Sequence, residues 1–269
     1  MANTALVWIR DDFRIQNNDA LTYATNQHDT VTAVFIFNSN IFDHKREAQK
    51  WWVSKSLENF KSDLKKLNIG LEIIKDDEIN FFSKIKSNSK ISVYWNKVYE
   101  PNELEKDKKI GTDFSKRNID FKFFKGNVLN EYNKITKNDG TPFKVYSPFW
   151  RNAEQFYLER LPDKISKVKK CKKINTLFKN QIKSEDILPK SDWYKKFEKY
   201  WEPSEQKAHE YLDNFVQKNI LNYGVDRDFP SIKGTSLLSP YIRNGQINVG
   251  DIWRKCKKLK SNNVSVKKY

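Results

Sequence analysis

The stretch LVWIRDDFRIQNNDAL, residues 6–21, sets an apolar run, a charged turn and a second apolar start directly after one another. The apolar part, ALVWI at 5–9, is too short for a helix and has no polar alternation, so it reads as a strand buried on both faces. The charged turn holds Arg10, Asp11, Asp12 and Arg14 at the carboxyl end of that strand, and a helix is expected over 18–27.

The same unit recurs downstream. VTAVFIF at 31–37, LEIIK at 71–75, ISVYW at 91–95 and IDFKFF at 119–124 read as further strands. Between them, 46–67 carries Trp52, Leu57, Phe60, Leu64 and Leu67 at helical spacing with Gly70 as a stop, DEINFFSKIKS forms a short helix, and 102–118 forms another. Short apolar strands alternating with helices predict an α/β fold with a doubly wound parallel sheet covered on both faces. In such sheets ligands gather beyond the carboxyl ends of the strands, where Arg10 to Arg14 lie. The competing reading, a local ion-pair network bracing the turn, is preferred. No G-x-G-x-x-G or G-x-x-x-x-G-K-[ST] occurs, which argues against an ordinary dinucleotide or P-loop site.

From 126 to about 192 the alternation stops, and the basic run 163–190 has little periodicity, so it reads as a solvated linker. Helical signals return near 193, with Ser204 as a cap, Ala208, Tyr211, Leu212, Phe215 and Ile220 on one face and Gly224 as a stop. Asn248 and Asp251 are expected to start a last helix through Ile252, Trp253 and Leu259. The organisation expected is therefore an α/β domain at 1–130, a linker at 131–192 and a helical segment at 193–269.

Lys+Arg number 50 against 34 Asp+Glu, a net charge of +16, which suits a polyanionic partner such as DNA or equally a dispersed basic surface. Two cysteines, Cys171 and Cys256, argue against a disulfide framework and for a reducing, cytoplasmic setting. The histidines His28, His44 and His209 stand far apart, no metal site is expected, and no apolar run is long enough for a membrane span.

Near the C-terminus, ILNYGVDRDFPSIKGTSLLSPYIRNG at 220–245 crowds Thr235, Ser236 and Ser239 before Pro240. Ser239 reads as an N-cap, Pro240 as N1 and Gly245 as the C′ stop. The hydroxyls and amides then surround a helix N-terminus, a setting that binds phosphate; an ordinary capped loop explains the same residues.

RDFP at 227–230 followed by G-T-S-L-L-S-P-Y-I-x-x-G at 234–245 resembles the flavin-phosphate loop of the DNA photolyase/cryptochrome family, and 6–21 resembles that family's N-terminal signature. The resemblance implies FAD as cofactor, held through Tyr223, Thr235, Ser236, Leu237, Leu238 and Ser239, in an all-helical domain that 193–269 begins. It implies Arg227 against a DNA backbone, with an internal salt bridge as the alternative. Asn102 and Glu103, in YEPNELEKD at 99–107, match positions that contact an antenna chromophore (methenyltetrahydrofolate or a deazaflavin); the alternative is a helix cap, with Asn102 capping and Glu105 completing a box. The implied activity is light-driven repair of cyclobutane pyrimidine dimers in DNA by electron transfer from reduced FAD, in a monomer free of membranes. Family chains run far longer, so the resemblance implies a truncated or partial photolyase, and no catalytic residue is assigned. A cryptochrome-type photoreceptor and an inactive α/β remnant are the alternatives. Half of a helical core is expected to expose an apolar patch.

Overall fold

The computed structural model describes residues 4–40, 47–160, 167–259 and 263–269. His44 and the first residues of the basic run, 163–166, lie outside them. Five strands, β1 (Thr4–Ile9), β2 (Thr30–Phe37), β3 (Gly70–Lys75), β4 (Ile91–Asn96) and β5 (Phe121–Phe124), form one sheet in the order β3-β2-β1-β4-β5. Each neighbouring pair is parallel. The order reverses direction between β1 and β4, which opens a crevice at their carboxyl ends.

Helices α1 (Asp19–Gln27), α2 (Glu47–Lys66), α3 (Glu78–Ser83) and α4 (Pro101–Lys116) alternate with the strands. Because side chains alternate across a strand, β1 feeds both cores. Ala5, Val7 and Ile9 pack with Leu21, Leu57, Phe60 and Leu64 on the face of α1 and α2. Leu6 and Trp8 pack with Phe82, Ile110 and Phe114 on the face of α3 and α4. That β1 is apolar at every position follows from its place at the centre.

The helical stops and starts have local causes. Asn18 caps α1 by accepting from the Leu21 amide at 3.1 Å. Proline opens α4 at Pro101, behind Glu100 as the cap residue. This corrects the expected cap at Asn102, which sits inside the first turn; the ring of Pro101 fixes φ for the helix and lacks the N–H that a cap would need to serve.

The basic run behaves differently from the solvated linker expected of it. Its backbone straps the sheet: Cys171 N donates to Leu67 O at 2.8 Å and Ile182 N to Ile73 O at 2.9 Å. Glu72, buried on edge strand β3, accepts the Leu177 and Phe178 amides at 2.6 and 2.8 Å. Burial pushes that carboxyl above its ordinary range. The strap thus covers an edge that parallel sheets do not leave open.

Beyond α5 (Tyr146–Arg160) and 3₁₀ turns at Ser184–Ile187 and Asp192–Lys199 come α6 (Glu205–Lys218), α7 (Tyr223–Asp226), α8 (Ser239–Arg243), α9 (Val249–Lys257) and α10 (Val264–Lys268). Their core is shared with the α/β unit, since Trp51 and Trp52 of α2 pack with Tyr194, Leu212, Leu238 and Tyr241. Leu221, Val225, Phe229, Ile232 and Leu237 are each about half exposed or more. No helix among the described residues is long and apolar enough to cross a membrane.

Candidate functional site

The turn after β1 fills the crevice with paired charge. Arg10 lies over the Trp8 ring at 4.1 Å, and its guanidinium donates to Asp107 at 2.9 Å, Glu103 at 3.2 Å and the Asn96 carbonyl at 2.7 Å. Asp12 accepts from the Arg10 amide at 2.8 Å and from Asn96 Nδ2 at 2.7 Å. Burial raises the Asp107 carboxyl, and the Arg10 charge pulls against it. The favoured reading of an ion-pair network describes this turn.

The network reaches much further than a local brace. Arg14 is buried and donates to Gly245 O at 2.9 Å and to Asn17 O at 3.1 Å. Glu205, in the first turn of α6, accepts the Ile15 and Gln16 amides at 2.6 and 2.8 Å. Asn17 Nδ2 donates to Asp251 at 2.5 Å, and Arg243 pairs with Asp11 at 2.5 Å. Gly245 has φ +63, and a Cβ there would overlap the Asp11 carbonyl. The N-terminal signature and the SPYIRNG segment are therefore one interface, built of atoms far apart in sequence.

Beside it lies a cleft of about 450 Å³, lined by Asp11, Asn96, Tyr99, Glu100, Gly126 and Arg243 among others. Asn127 closes its far side, donating to the Ile242 and Ile247 carbonyls at 3.0 and 3.2 Å and accepting the Val249 amide at 3.1 Å. The two antenna candidates are placed unequally. Asn102 is exposed on α4, and Glu103 is committed to Arg10 and to Lys106 at 2.8 Å.

The candidate flavin-phosphate residues gather around α7 and α8. The helix begins at Ser239 behind Leu238 as the cap residue, with no side-chain cap bond. Ser239 is thus the first helical residue and not the cap: Leu238 already has helical φ and ψ and its side chain is drawn into the core. Five residues make too short a helix for the macrodipole to matter, so any phosphate affinity rests on individual donors. Those donors exist. Thr235 and Ser239 are exposed, and among the described residues no backbone N–H from Thr235 to Leu238 donates to a protein acceptor outside its own helix. Leu237 holds φ +56, a left-handed conformation that a bulky residue rarely adopts. The stop is as expected: Gly245 and Gln246 donate to Ile242 and Tyr241 in a Schellman arrangement.

Tyr223 packs edge-on to Phe215 and Tyr269, with centroids 5.7 and 5.1 Å away. Tyr269 also hydrogen-bonds Ser236, and burial pushes its phenol up to about 12. Arg227 is exposed, pairs with Asp228 at 3.4 Å and lies over Tyr223 at 5.6 Å. Sequence reasoning missed Glu205 and Asn127, whose roles depend on partners more than a hundred positions away, and Tyr269, which carries no motif; it placed Asp251 at a helix start and missed its bond to Asn17. Among the described residues no cluster of His, Cys, Asp and Glu can hold a metal.

Residues 5–167 match the family model for DNA photolyase. A deoxyribodipyrimidine photo-lyase of Agrobacterium fabrum is 30% identical over 266 residues, covering 97% of this chain and 55% of that protein. Cryptochrome-2 of Arabidopsis thaliana is 25% identical over 269 residues, covering 97% and 44%. A solved bacterial class III photolyase from Agrobacterium tumefaciens superposes with a TM-score of 0.87 at 29% identity, covering 98% of this chain and 56% of that one. The chain spans about half the length of the relatives it matches. With the parallel sheet, the crevice and the contact between its two signature segments in place, the chain belongs to the DNA photolyase/cryptochrome family.

Proposed function

We propose that this chain binds FAD through the 235–239 loop and supplies the α/β unit and first helices of a light-driven deoxyribodipyrimidine photo-lyase acting on pyrimidine dimers in DNA. The observation that carries the reading is the donor set of that loop: exposed hydroxyls of Thr235 and Ser239 with amides from Thr235 to Leu238 that, among the described residues, donate to no protein acceptor outside the helix. Donors of that kind suit a diphosphate. Thr235, Ser236 and Ser239 would hold the phosphates, Tyr223 would flank them, Leu237 would present its amide and Leu238 would anchor the loop. When bound, reduced FAD supplies the electron that splits the dimer. Arg227, exposed on the same face, is proposed to meet a DNA phosphate, an attraction that weakens with salt. The cleft beside Tyr99, Glu100 and Arg243 is proposed as the antenna chromophore's place, with Asn102 and Glu103 on its rim helix. The boundaries at about 130 and 192 are proposed as domain limits, the piece between them serving as a strap.

The test is titration of the purified protein with FAD, followed by quenching of flavin fluorescence. Wild type should bind saturably, and Thr235→Ala/Ser236→Ala should bind at least tenfold more weakly while keeping its melting temperature. Loss of two charge-assisted hydrogen bonds accounts for that factor. Absence of saturable flavin binding would overturn the reading. If flavin binds, light-dependent repair of a dimer-containing oligonucleotide by a chain of the relatives' length supports the lyase; flavin without repair supports the photoreceptor.

A further inference from the structure

A second recess, of about 580 Å³, lies on the other side of Lys97 from the crevice. Its walls are Phe123 and Phe124 of edge strand β5, Phe156 of α5, and Lys97, Lys125, Lys134, Asn130 and Glu131. The volume is that of a small-ligand site.

Three features define what would fill it. Phe123 is 44% exposed, although β5 neighbours a core where Trp95 stacks on Phe121. The Phe123 ring carries the Lys97 ammonium 4.9 Å from the centroid, and its remaining exposed surface gives the recess an apolar contact for a second ring. The charge is unbalanced: Lys97 pairs with Glu131 at 2.6 Å, whereas among the described residues neither Lys125 nor Lys134 has an ion-pair partner. Lys125, exposed, instead donates from Nζ to the Leu129 carbonyl at 3.2 Å. Among the described residues Asn130 Nδ2 is buried with no hydrogen-bond partner, a donor that a ligand oxygen would satisfy.

We propose that this recess is a ligand site for a flat heteroaromatic ring carrying one anionic group, of nucleoside monophosphate size. The ring packs against the exposed part of Phe123 and against Phe156. Its anionic group is met by Lys125 and Lys134, and Asn130 donates to a ring or sugar oxygen. Glu131 holds Lys97 back from the anion, which leaves Lys125 and Lys134 as the discriminating charges.

The test is calorimetric titration of the full chain with AMP, adenosine and inorganic phosphate. AMP should bind at one site; adenosine and inorganic phosphate should each bind at least tenfold more weakly. Phe123→Ala should weaken AMP about tenfold through the lost aromatic contact. Lys134→Ala, at an exposed position that cannot unfold the protein, should weaken AMP severalfold and leave adenosine unchanged. Saturable AMP binding that Phe123→Ala and Lys134→Ala leave intact overturns the proposal. AMP binding abolished by Thr235→Ala/Ser236→Ala and unaffected by Phe123→Ala also overturns it, because the nucleotide would then occupy the proposed flavin loop. Since the two sites share no residue, failure here leaves the flavin reading standing, and failure of flavin binding leaves this one standing.

Discussion

In the turn at 10–18, Asp12, Arg14, Asn17 and Asn18 all find partners within the protein, and Arg14 and Asn18 are buried. In the turn at 234–239 Thr235 and Ser239 face solvent, the amides from Thr235 to Leu238 have no acceptor outside the helix among the described residues, and Leu237 is half exposed. Both turns are rich in polar residues, and both end against a helix. The first is closed on itself and joins the two halves of the chain; the second has donors left over and an apolar fringe running from Leu221 to Leu237. Polar residues that are already satisfied hold a structure together, and polar residues that are not are where a ligand can act.

The largest test of the closed turn is Gly245→Val. The position needs φ +63 and has no room for a Cβ against Asp11. A β-branched residue meets both penalties, so we expect a loss on the order of 4 kcal/mol in urea unfolding. Hydrogen exchange should show that α8 and α9 lose protection before β1 and β2. Equal loss across the chain would mean that the interface is not the weak joint.

Leu238→Ala tests whether the open turn is open throughout. Leu238 is buried against Trp52 and Tyr241's cluster, so truncation should cost about 3 kcal/mol. A change below about 1 kcal/mol would show that the loop is detached from the core.

A smaller effect is read through pH. Glu205 receives the Ile15 and Gln16 amides, and burial raises its carboxyl above the ordinary value. A carboxyl with a raised folded pKa stabilises most when protonated, so its contribution is present below about 4.5 and is lost as pH rises through the folded value. Wild type should therefore lose stability relative to Glu205→Gln over that interval, and the difference should be flat above it. A wild type that gains stability relative to Glu205→Gln as pH rises through that interval would contradict the burial argument.

The sheet was legible because a central parallel strand must be apolar on both faces, and ALVWI and VTAVFIF have no other simple reading. The Schellman stop at Gly245 and the cap at Ser204 were legible for the same local reason. The strap at 168–188 was not. Its hold on the sheet comes from backbone amides and from Cys171 and Ile182 scattered among lysines, which leave no period. The start of α8 was misplaced by one residue because a buried leucine, and not a hydroxyl, precedes it. The joint between 10–17 and 243–251 was invisible for a different reason: much of it is carbonyl oxygens and amides, which every residue has.

The finest comparison sits within two adjacent leucines. Leu237 and Leu238 have the same side chain, but the first holds φ +56 and is 46% exposed while the second is 1% exposed. A left-handed non-glycine residue carries a strain of about 1 kcal/mol, and glycine relieves it. Glycine also adds freedom to the unfolded chain, an opposing term of about 0.5–1 kcal/mol. The two nearly cancel, but about half of the Leu237 side chain is buried, so Leu237→Gly should be on the order of 1 kcal/mol less stable than wild type by chemical unfolding. The backbone of the loop would also be freer to leave its present conformation. If that conformation holds phosphate, Leu237→Gly should weaken flavin binding severalfold in a protein that remains folded. Unchanged flavin affinity would mean that the strained residue has no part in presenting the amides.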